Sequence, residues 1–430
     1  MAMTENSYED IVKYLETLQI MPKAMPGLEK IRKALLQTSW YSQINADRVI
    51  VVAGTNGKGT TCAALEALLA EAGCQVGFYS SPHLISTTER IRLNKKDISE
   101  KDFVTIFKAC EELIIRCELS HFEALTLMAC YYYFSGALQP TPDFVILEVG
   151  LGGTYDATNA IPHKYSVITS LSLDHTNILG HTLMEIAQNK FGIVGRKNIV
   201  VHYELKEELH DLKNQVRKQT NSNWIESEPT HWQVDTSDRG RPVYYLNYDN
   251  ESWPTNMCGE RAMRNIMTAI TTFQALGFDM RAGGKGLSSI RWQGRMQSVQ
   301  WPGLKAPLYL SGDHNEDGVK SLIHLLKDFK WKKLYFVVGV GADKDVASML
   351  EQLTALQNSV LCLTETTFKP RKLSDYPEKY KQMSRFSHSD VKRVLDFICN
   401  EADEGDLCIV TGSLYLVGRV LQSLESLQKI

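Results

Sequence analysis

The sequence has no excess of either charge. Lys and Arg number 47 against 50 Asp and Glu, a formal net charge of −3. It also lacks a basic cluster with interleaved aromatics, so nothing points to a nucleic-acid partner. No apolar run is long enough to span a bilayer, which argues against an integral membrane protein. The opening Met1 to Asp10 is acidic and polar, without the positive-then-apolar plan of a secretory leader. The nine cysteines are an odd number and contain no C-x-x-C pair. That excludes an evident disulfide frame or zinc site and fits reduced thiols in a cytoplasmic protein. Internal repeats and low-complexity tracts are absent. What remains is an ordinary globular profile: 430 residues, 43% hydrophobic and 23% charged, enough for two or three domains. Oligomeric state is not legible, and a monomer is the default.

Periodicity supplies the elements. The first forty residues read as helical, with Ile11, Tyr14, Leu15 and Leu18, then Ile31, Leu35 and Leu36, at helical spacing. Arg48 to Ala53 reads as a buried strand, and an Ala/Leu-rich helix over Thr61 to Ala72 ends at Gly73. Further strands are expected at Gln75 to Ser80, Phe144 to Val149 and Ser166 to Leu173, and helices at Phe103 to Cys117 and Glu123 to Phe134. Strands alternating with helices predict a parallel sheet covered on both faces. His231 to Val234 and Val243 to Leu246, around Asp238-Arg-Gly-Arg241, read as a β-hairpin appended to that sheet. Alternation resumes with strands at 308–310, 334–340, 360–363 and 407–410. The predicted class is α/β. A large N-terminal P-loop domain, residues 1–296 with a small β-region, precedes a smaller Rossmann-like domain at 297–430.

Between the strand and the Ala/Leu-rich helix lie Gly54, Thr55, Asn56, Gly57, Lys58, Gly59 and Thr60. Glycines let backbone N–H groups approach phosphate oxygens, the helix N-terminus adds its dipole, and Lys58 adds charge. The Thr60 hydroxyl is in reach of Mg²⁺. Gly59 departs from the common pattern, in which the hydroxyl residue follows the lysine directly. The alternative, a glycine-rich surface turn, fits poorly with a lysine and three glycines between a buried strand and a good helix.

Three side chains stand out nearby. Glu148 follows four apolar residues in a buried strand, and a carboxylate there needs a cation or a metal as partner. At the carboxyl end of a parallel strand it faces the crevice where such sheets bind ligands, so Mg²⁺ ligation is favoured over an edge salt bridge. His175 follows Asp174 at the next strand end, where a metal or phosphate contact competes with a structural role. Thr182-Leu-Met-Glu185 is a capping box, and on its helix Leu183, Ile186, Ala187 and Lys190 share the apolar face. Lys190 either snorkels out near the helix end or is paired or chemically modified inside.

These residues together resemble the dihydrofolate synthase/folylpolyglutamate synthase family of Mur-type amide ligases, from about Tyr14 to Val417. The motifs that carry the resemblance are Gly54 to Thr60, Ser80-Ser-Pro-His-Leu84 with Glu89-Arg-Ile91, and Phe122-Glu-Ala-Leu-Thr126. Glu148-Val-Gly-Leu-Gly-Gly153 with Asp156-Ala-Thr-Asn159, and Asp174-His175 with Lys190-Phe-Gly-Ile193, are the most specific. Gly294-Arg295, His314-Asn315, Asp343-Lys-Asp345 and Thr411-Gly-Ser-Leu-Tyr-Leu416 continue the match.

The resemblance implies ATP and two Mg²⁺ ions. Thr60 and Glu148 would hold one, and Glu148, His175 and a carbamylated Lys190 would serve the second. Asn265 would help seat the adenine, and Arg295 and His314 would close onto nucleotide or substrate. Ser81, Pro82 and His83 would lie by the pterin-bearing substrate, with Phe122, Asp156, Asp313, His314 and Ser413 as further substrate residues. The implied reaction joins dihydropteroate or a reduced folate to L-glutamate through an acyl phosphate, with Lys58, Lys190, His175 and His314 as catalytic groups. A Mur-type ligase for another acid or amino acid is the alternative, with a P-loop switch or kinase behind it.

Four departures stand out. Ser311 occupies a family aspartate position, and Asp313, two residues along, is in place to present its carboxylate from the same side. Arg261-Ala262 replaces His-Gln, Thr154 replaces an arginine, and Gln293 replaces a proline.

Overall fold

The computed structural model describes residues 7–18, 27–228, 231–237, 242–248, 250–367 and 369–428. Among these residues the strands form three sheets. The largest has the order β4-β3-β2-β5-β1-β6-β7-β8. Its strands are β1 Val49–Ala53, β2 Val76–Tyr79, β3 Ile91–Leu93, β4 Lys96–Asp97, β5 Phe144–Glu148, β6 Tyr165–Ile168, β7 Ile199–His202 and β8 Asn223–Glu226. β2, β5, β1, β6, β7 and β8 run parallel, and β3 and β4 add an antiparallel edge.

Both faces of the central strands are covered, which is why β1 reads as an unbroken apolar run. Val49, Val51 and Ala53 join Val145 and Leu147 in one core with Ile11, Ile31, Phe103, Phe107, Leu125 and Met128. Those partners come from the helices Tyr8–Thr17, Glu29–Leu35, Glu100–Arg116 and His121–Phe134. The alternate residues Ile50, Val52 and Ile146 are equally buried. The phosphate-loop helix Lys58–Glu71 is apolar all round and buried through most of its length, as a helix in the middle of a layered fold must be.

The β-region differs from its expectation. β9 His231–Asp235 and β10 Val243–Tyr248 pair antiparallel, with Val243 opposite Asp235. A third strand, β11 Glu251–Thr255, joins β10. Together they form a separate sheet rather than an extension of the large one. The turn at Asp238 to Arg241 lies outside the described residues.

The third sheet has the order β12-β13-β17-β14-β15-β16. Its strands are β12 Arg295–Val299, β13 Leu308–Ser311, β14 Leu334–Val338, β15 Ser359–Leu363, β16 Phe386–Ser387 and β17 Leu407–Thr411. β12 is antiparallel to β13 and the rest are parallel. Two compact units result, Met1–Thr230 with Arg264–Leu287, and His231–Met263 with Ser288–Ile430. The α/β class and the two sheet-bearing parts agree with the sequence reading. Among the described residues all nine cysteines are free, and no helix is long and apolar enough to cross a membrane.

Candidate active site

In the first unit β1 lies between β5 and β6, and the chain leaves all three strands at the same sheet edge. That edge is where an open parallel sheet binds ligands. The phosphate loop is laid across the end of β6. Thr55 N–H donates to the Ser170 carbonyl at 2.8 Å, and Thr169 Oγ1 donates to the Asn56 carbonyl at 2.8 Å. Thr55 Oγ1 donates to the Ser172 carbonyl at 3.0 Å and accepts from Ser172 N–H at 3.1 Å. The expected strand 166–173 therefore stops at Ile168, and its hydroxyl-rich remainder becomes a second wall of the loop. Thr169, Ser170 and Ser172 were not read as site residues. Their signal was three hydroxyls within four positions past a buried strand.

Two glycines of the loop have no substitute. A Cβ on Gly54 would lie 1.8 Å from Thr169 Oγ1. Gly57 has φ +90°, and a Cβ there would meet Asn265 Oδ1 at 2.2 Å. Asn265, buried on the helix Glu260–Ala275, thus touches the phosphate loop itself, and its carbonyl accepts a 3.3 Å hydrogen bond from Thr61 Oγ1. Gly57→Ala is expected to weaken ATP binding at least about tenfold and to destabilise the fold by roughly 1–3 kcal/mol, since it combines a left-handed backbone with a clash. Calorimetric ATP titration and thermal unfolding check this, and an unchanged Kd would contradict it.

Two lysines converge on one carbonyl. Lys58 Nζ donates to the Gly54 carbonyl at 3.1 Å and to that of Thr55 at 3.4 Å. Lys190 Nζ donates to the same Gly54 carbonyl at 2.8 Å. Lys190 is 4% exposed. Burial first, and then the neighbouring charge of Lys58, pull its pKa down to about 7, with Asp174 and Asp156 opposing. The lysine expected on the apolar face does point inward. Its helix Leu183–Phe191 is held against the loop after β5, where Thr154 N–H and Oγ1 both donate to the Asn189 carbonyl, at 2.9 and 2.8 Å. Thr154, at the position of the family's arginine, fastens the helix that carries Lys190.

Glu148 is buried at the end of β5 and accepts from Ser81 N–H at 3.2 Å. This bond joins the nucleotide end of the sheet to the Ser81, Pro82 and His83 loop. Three further N–H groups of that loop, from Leu84, Ile85 and Ser86, donate to the Glu89 carboxylate at 2.7 Å. Arg90 Nε donates to His83 Nδ1 at 2.9 Å. Phe122, in the first turn of the helix His121–Phe134, has its ring 5.7 Å from that of Tyr79. Asp156 is buried and turned onto its own loop. It accepts from the N–H groups of Gly150, Leu151 and Thr158 and from Thr158 Oγ1. Those bonds shape the turn after β5, a role its sequence position did not disclose.

Mg²⁺ needs few protein oxygens, because phosphates and waters complete its shell. The buried Thr60 hydroxyl, in the first turn of its helix, and the buried Glu148 carboxylate suit that demand. Among the described residues no group of three His, Cys, Asp or Glu side chains converges to hold a metal. His175 stands at the N-terminal end of the short helix Thr176–Leu179. It sits in a left-handed conformation (φ 49°), its side chain 42% exposed and Nε2 3.8 Å from Asp174 Oδ2.

The second unit assembles its own cluster at the carboxyl ends of β13 and β17. Arg295 pairs with Ser311 across β12 and β13. Ser311 Oγ donates to Asp313 Oδ2 at 2.6 Å. The Asp313 carbonyl accepts from Gly412 N–H at 3.0 Å. His314 Nδ1 lies 2.9 Å from the Gly312 carbonyl, and burial foremost, with the charges of Arg295 and Lys344, holds its pKa below the ordinary histidine value. Ser413 is buried, and its Oγ accepts from Tyr415 N–H at 3.1 Å.

The Mur ligase middle domain family matches residues 52–273, and the Mur ligase glutamate ligase domain matches residues 294–414. A dihydrofolate synthase/folylpolyglutamate synthase of Buchnera aphidicola subsp. Acyrthosiphon pisum is 32% identical over 321 residues, 71% of this chain and 72% of that protein. The protein of the same description from Escherichia coli K12 is 29% identical over 421 residues, 96% of this chain and 95% of that one. The solved structure of E. coli FolC with DHPP and ADP superposes with a TM-score of 0.82 at 26% identity, covering 100% of both chains. With a phosphate loop, a buried carboxylate and a buried lysine in place at one sheet edge, the chain belongs to the dihydrofolate synthase/folylpolyglutamate synthase family, a branch of the Mur-type ATP-dependent ligases.

Proposed function

We propose that the protein uses ATP to join the carboxyl group of dihydropteroate, or of a reduced folate, to the amino group of L-glutamate. The observation that carries this reading is the Ser81 N–H bond to Glu148, which ties the acid-side loop to the nucleotide end of the sheet. In support, E. coli FolC has been solved with DHPP and ADP, and a similar FPGS with AMPPCP and folate.

In the proposed reaction a carboxylate oxygen of the acid attacks the γ-phosphorus of ATP, and ADP leaves. The glutamate amine then attacks the acyl carbon, loses a proton, and expels phosphate. Lys58 and the loop N–H groups hold the phosphates in line and neutralise charge on the transferring group. When bound, Mg²⁺ neutralises phosphate charge and orients the oxygens, held by Thr60 and Glu148 at one site and by Glu148, His175 and a carbamylated Lys190 at the second. A lysine with a pKa of about 7 carries the free amine fraction that carbamylation requires. Arg295 and His314, in the second unit, are the groups that the resemblance implies for contacts to nucleotide or substrate. The free cysteines support a reducing compartment, the cytoplasm.

Dihydropteroate labelled with ¹⁸O in its carboxyl group tests the acyl phosphate. One label is expected in the released phosphate, and label-free phosphate would rule the intermediate out.

Amino-acid choice is the part with a second reading. The Ser311 hydroxyl, donating to Asp313, aims that carboxylate at the end of β13. In our reading Asp313 holds the ammonium of the incoming amino acid. Asp313→Ala is expected to raise the glutamate KM at least about tenfold, as loss of a charge-assisted hydrogen bond does, with the ATP KM unchanged. An unchanged glutamate KM would show that Asp313 does not hold the amino acid, whereas a parent protein that does not turn over glutamate would favour a Mur-type ligase that takes a different amino acid.

A further inference from the structure

Arg90 is 9% exposed and donates its Nε–H to His83 Nδ1 at 2.9 Å. A guanidinium only donates, so the ring nitrogen it meets must accept and carries no proton. The single proton of a neutral imidazole then resides on Nε2. The groups facing His83 keep the ring neutral. Burial comes first, then the charge of Arg90, then His121, and together they hold its pKa near about 3. His121 is anchored in turn, with Nδ1 2.9 Å from the Leu15 carbonyl. The backbone that carries His83 is fixed at both ends, through Ser81 to Glu148 and through Leu84, Ile85 and Ser86 to Glu89.

We propose that Arg90 is a positioning residue that locks His83 in its Nε2–H form, so that the loop offers the acid substrate one uncharged N–H donor at a fixed place. Acids with an acceptor there, a carbonyl, carboxylate or ring nitrogen, are selected over those without one. The inference deepens the proposed function and rests on its placing Ser81 to His83 beside the acid. The tautomer itself is independent of that placing.

Long-range ¹H–¹⁵N correlation of the histidine rings in the ligand-free protein reads the tautomer directly. The expected result is Nε2–H at His83 in the parent protein and a mixture in Arg90→Leu. In the same variant the KM for dihydropteroate rises about tenfold, as loss of one oriented hydrogen bond predicts, while the KM for ATP stays put. Arg90→Lys, which still offers a donor, recovers most of both readouts and guards against a variant that simply fails to fold. His83→Gln, with an amide N–H near the Nε2 position, is expected to retain more acid affinity than His83→Leu. An Nδ1–H tautomer in the parent protein, or an Arg90→Leu protein with both tautomer and KM unchanged, overturns the proposal. If the parent protein shows Nε2–H but does not use dihydropteroate or reduced folates, the substrate reading fails and the Arg90–His83 coupling stands.

Discussion

Lys58→Met lowers kcat by about 10²–10³-fold, the loss found when one preorganised group that stabilises transition-state charge is removed. Methionine keeps the unbranched stem, one atom shorter, and the helix propensity, so folding is unaffected. In the nucleotide-free protein the ammonium rests on the carbonyls of Gly54 and Thr55, at 3.1 and 3.4 Å. Both acceptors belong to the loop that wraps the phosphates, so an incoming γ-phosphate and its own loop compete for the same cation. The Gly54 carbonyl keeps its 2.8 Å bond from Lys190, and the Thr55 contact that is lost is a long one at 3.4 Å. Thermal unfolding without nucleotide is therefore expected to match the parent protein to within about 0.5 kcal/mol. Steady-state kinetics with saturating ATP check the claim. A fall in kcat of less than about tenfold would mean that the transferring phosphoryl group is not stabilised from this lysine.

Lys190→Met has a comparable effect on turnover and an opposite signature in stability. The amine sits 2.8 Å from the Gly54 carbonyl in a site that pulls its pKa from 10.5 to about 7. A folded pKa below the unfolded one means that burying the charge costs stability. The cost is complete below about pH 7, where the buried amine is protonated, and shrinks to nothing as pH rises to the unfolded value. Methionine removes that cost, so its stabilisation is largest below pH 7 and fades toward pH 10.5. Activity goes the other way and falls by about 10³-fold, because the anionic group expected at this position is gone. Carbamylation makes a further distinction. Parent enzyme stripped of carbon dioxide regains activity on addition of bicarbonate, more readily above pH 7, where the free amine prevails. Lys190→Met does not respond. Bicarbonate-independent activity in the stripped parent enzyme would leave Lys190 as an unmodified amine hydrogen-bonded to the phosphate loop.

These two lysines show what kind of information a sequence carries. Lys190 was legible because helical periodicity puts it on the apolar face of Leu183, Ile186 and Ala187, which leaves burial or snorkelling, and the structure shows burial. Its partner was not, since Gly54 lies 136 positions earlier and only the sheet order β5-β1-β6 brings them together. The same limit hid Thr169 and Ser172. A run of hydroxyl and apolar residues suits a strand, and no local pattern tells a strand's last residues from a segment that turns to hold another loop. Asp156 is expected among the substrate residues, and four donors of its own loop also reach its carboxylate, a closure set by backbone geometry. Short edge elements such as β3, β4 and β11 escaped for a different reason. Their few residues give too brief an alternation, and pairing with an existing edge, rather than their own pattern, makes them strands. In the second unit the spacing of two between Ser311 and Asp313 suggests a carboxylate presented from the same side, whereas the 2.6 Å bond from Ser311 Oγ to that carboxylate is visible only in the structure.

The central claim is that phosphate transfer from ATP is coupled to joining a folate-type acid to an amino acid. It is tested most directly by following ADP and phosphate release with Mg²⁺-ATP, dihydropteroate and L-glutamate, leaving out each in turn and weighing the product. The account predicts sustained release only when all three are present, with a product heavier by one glutamyl unit. Release that needs neither acid nor amino acid, or tight ATP binding with no product from dihydropteroate or any reduced folate, would contradict it.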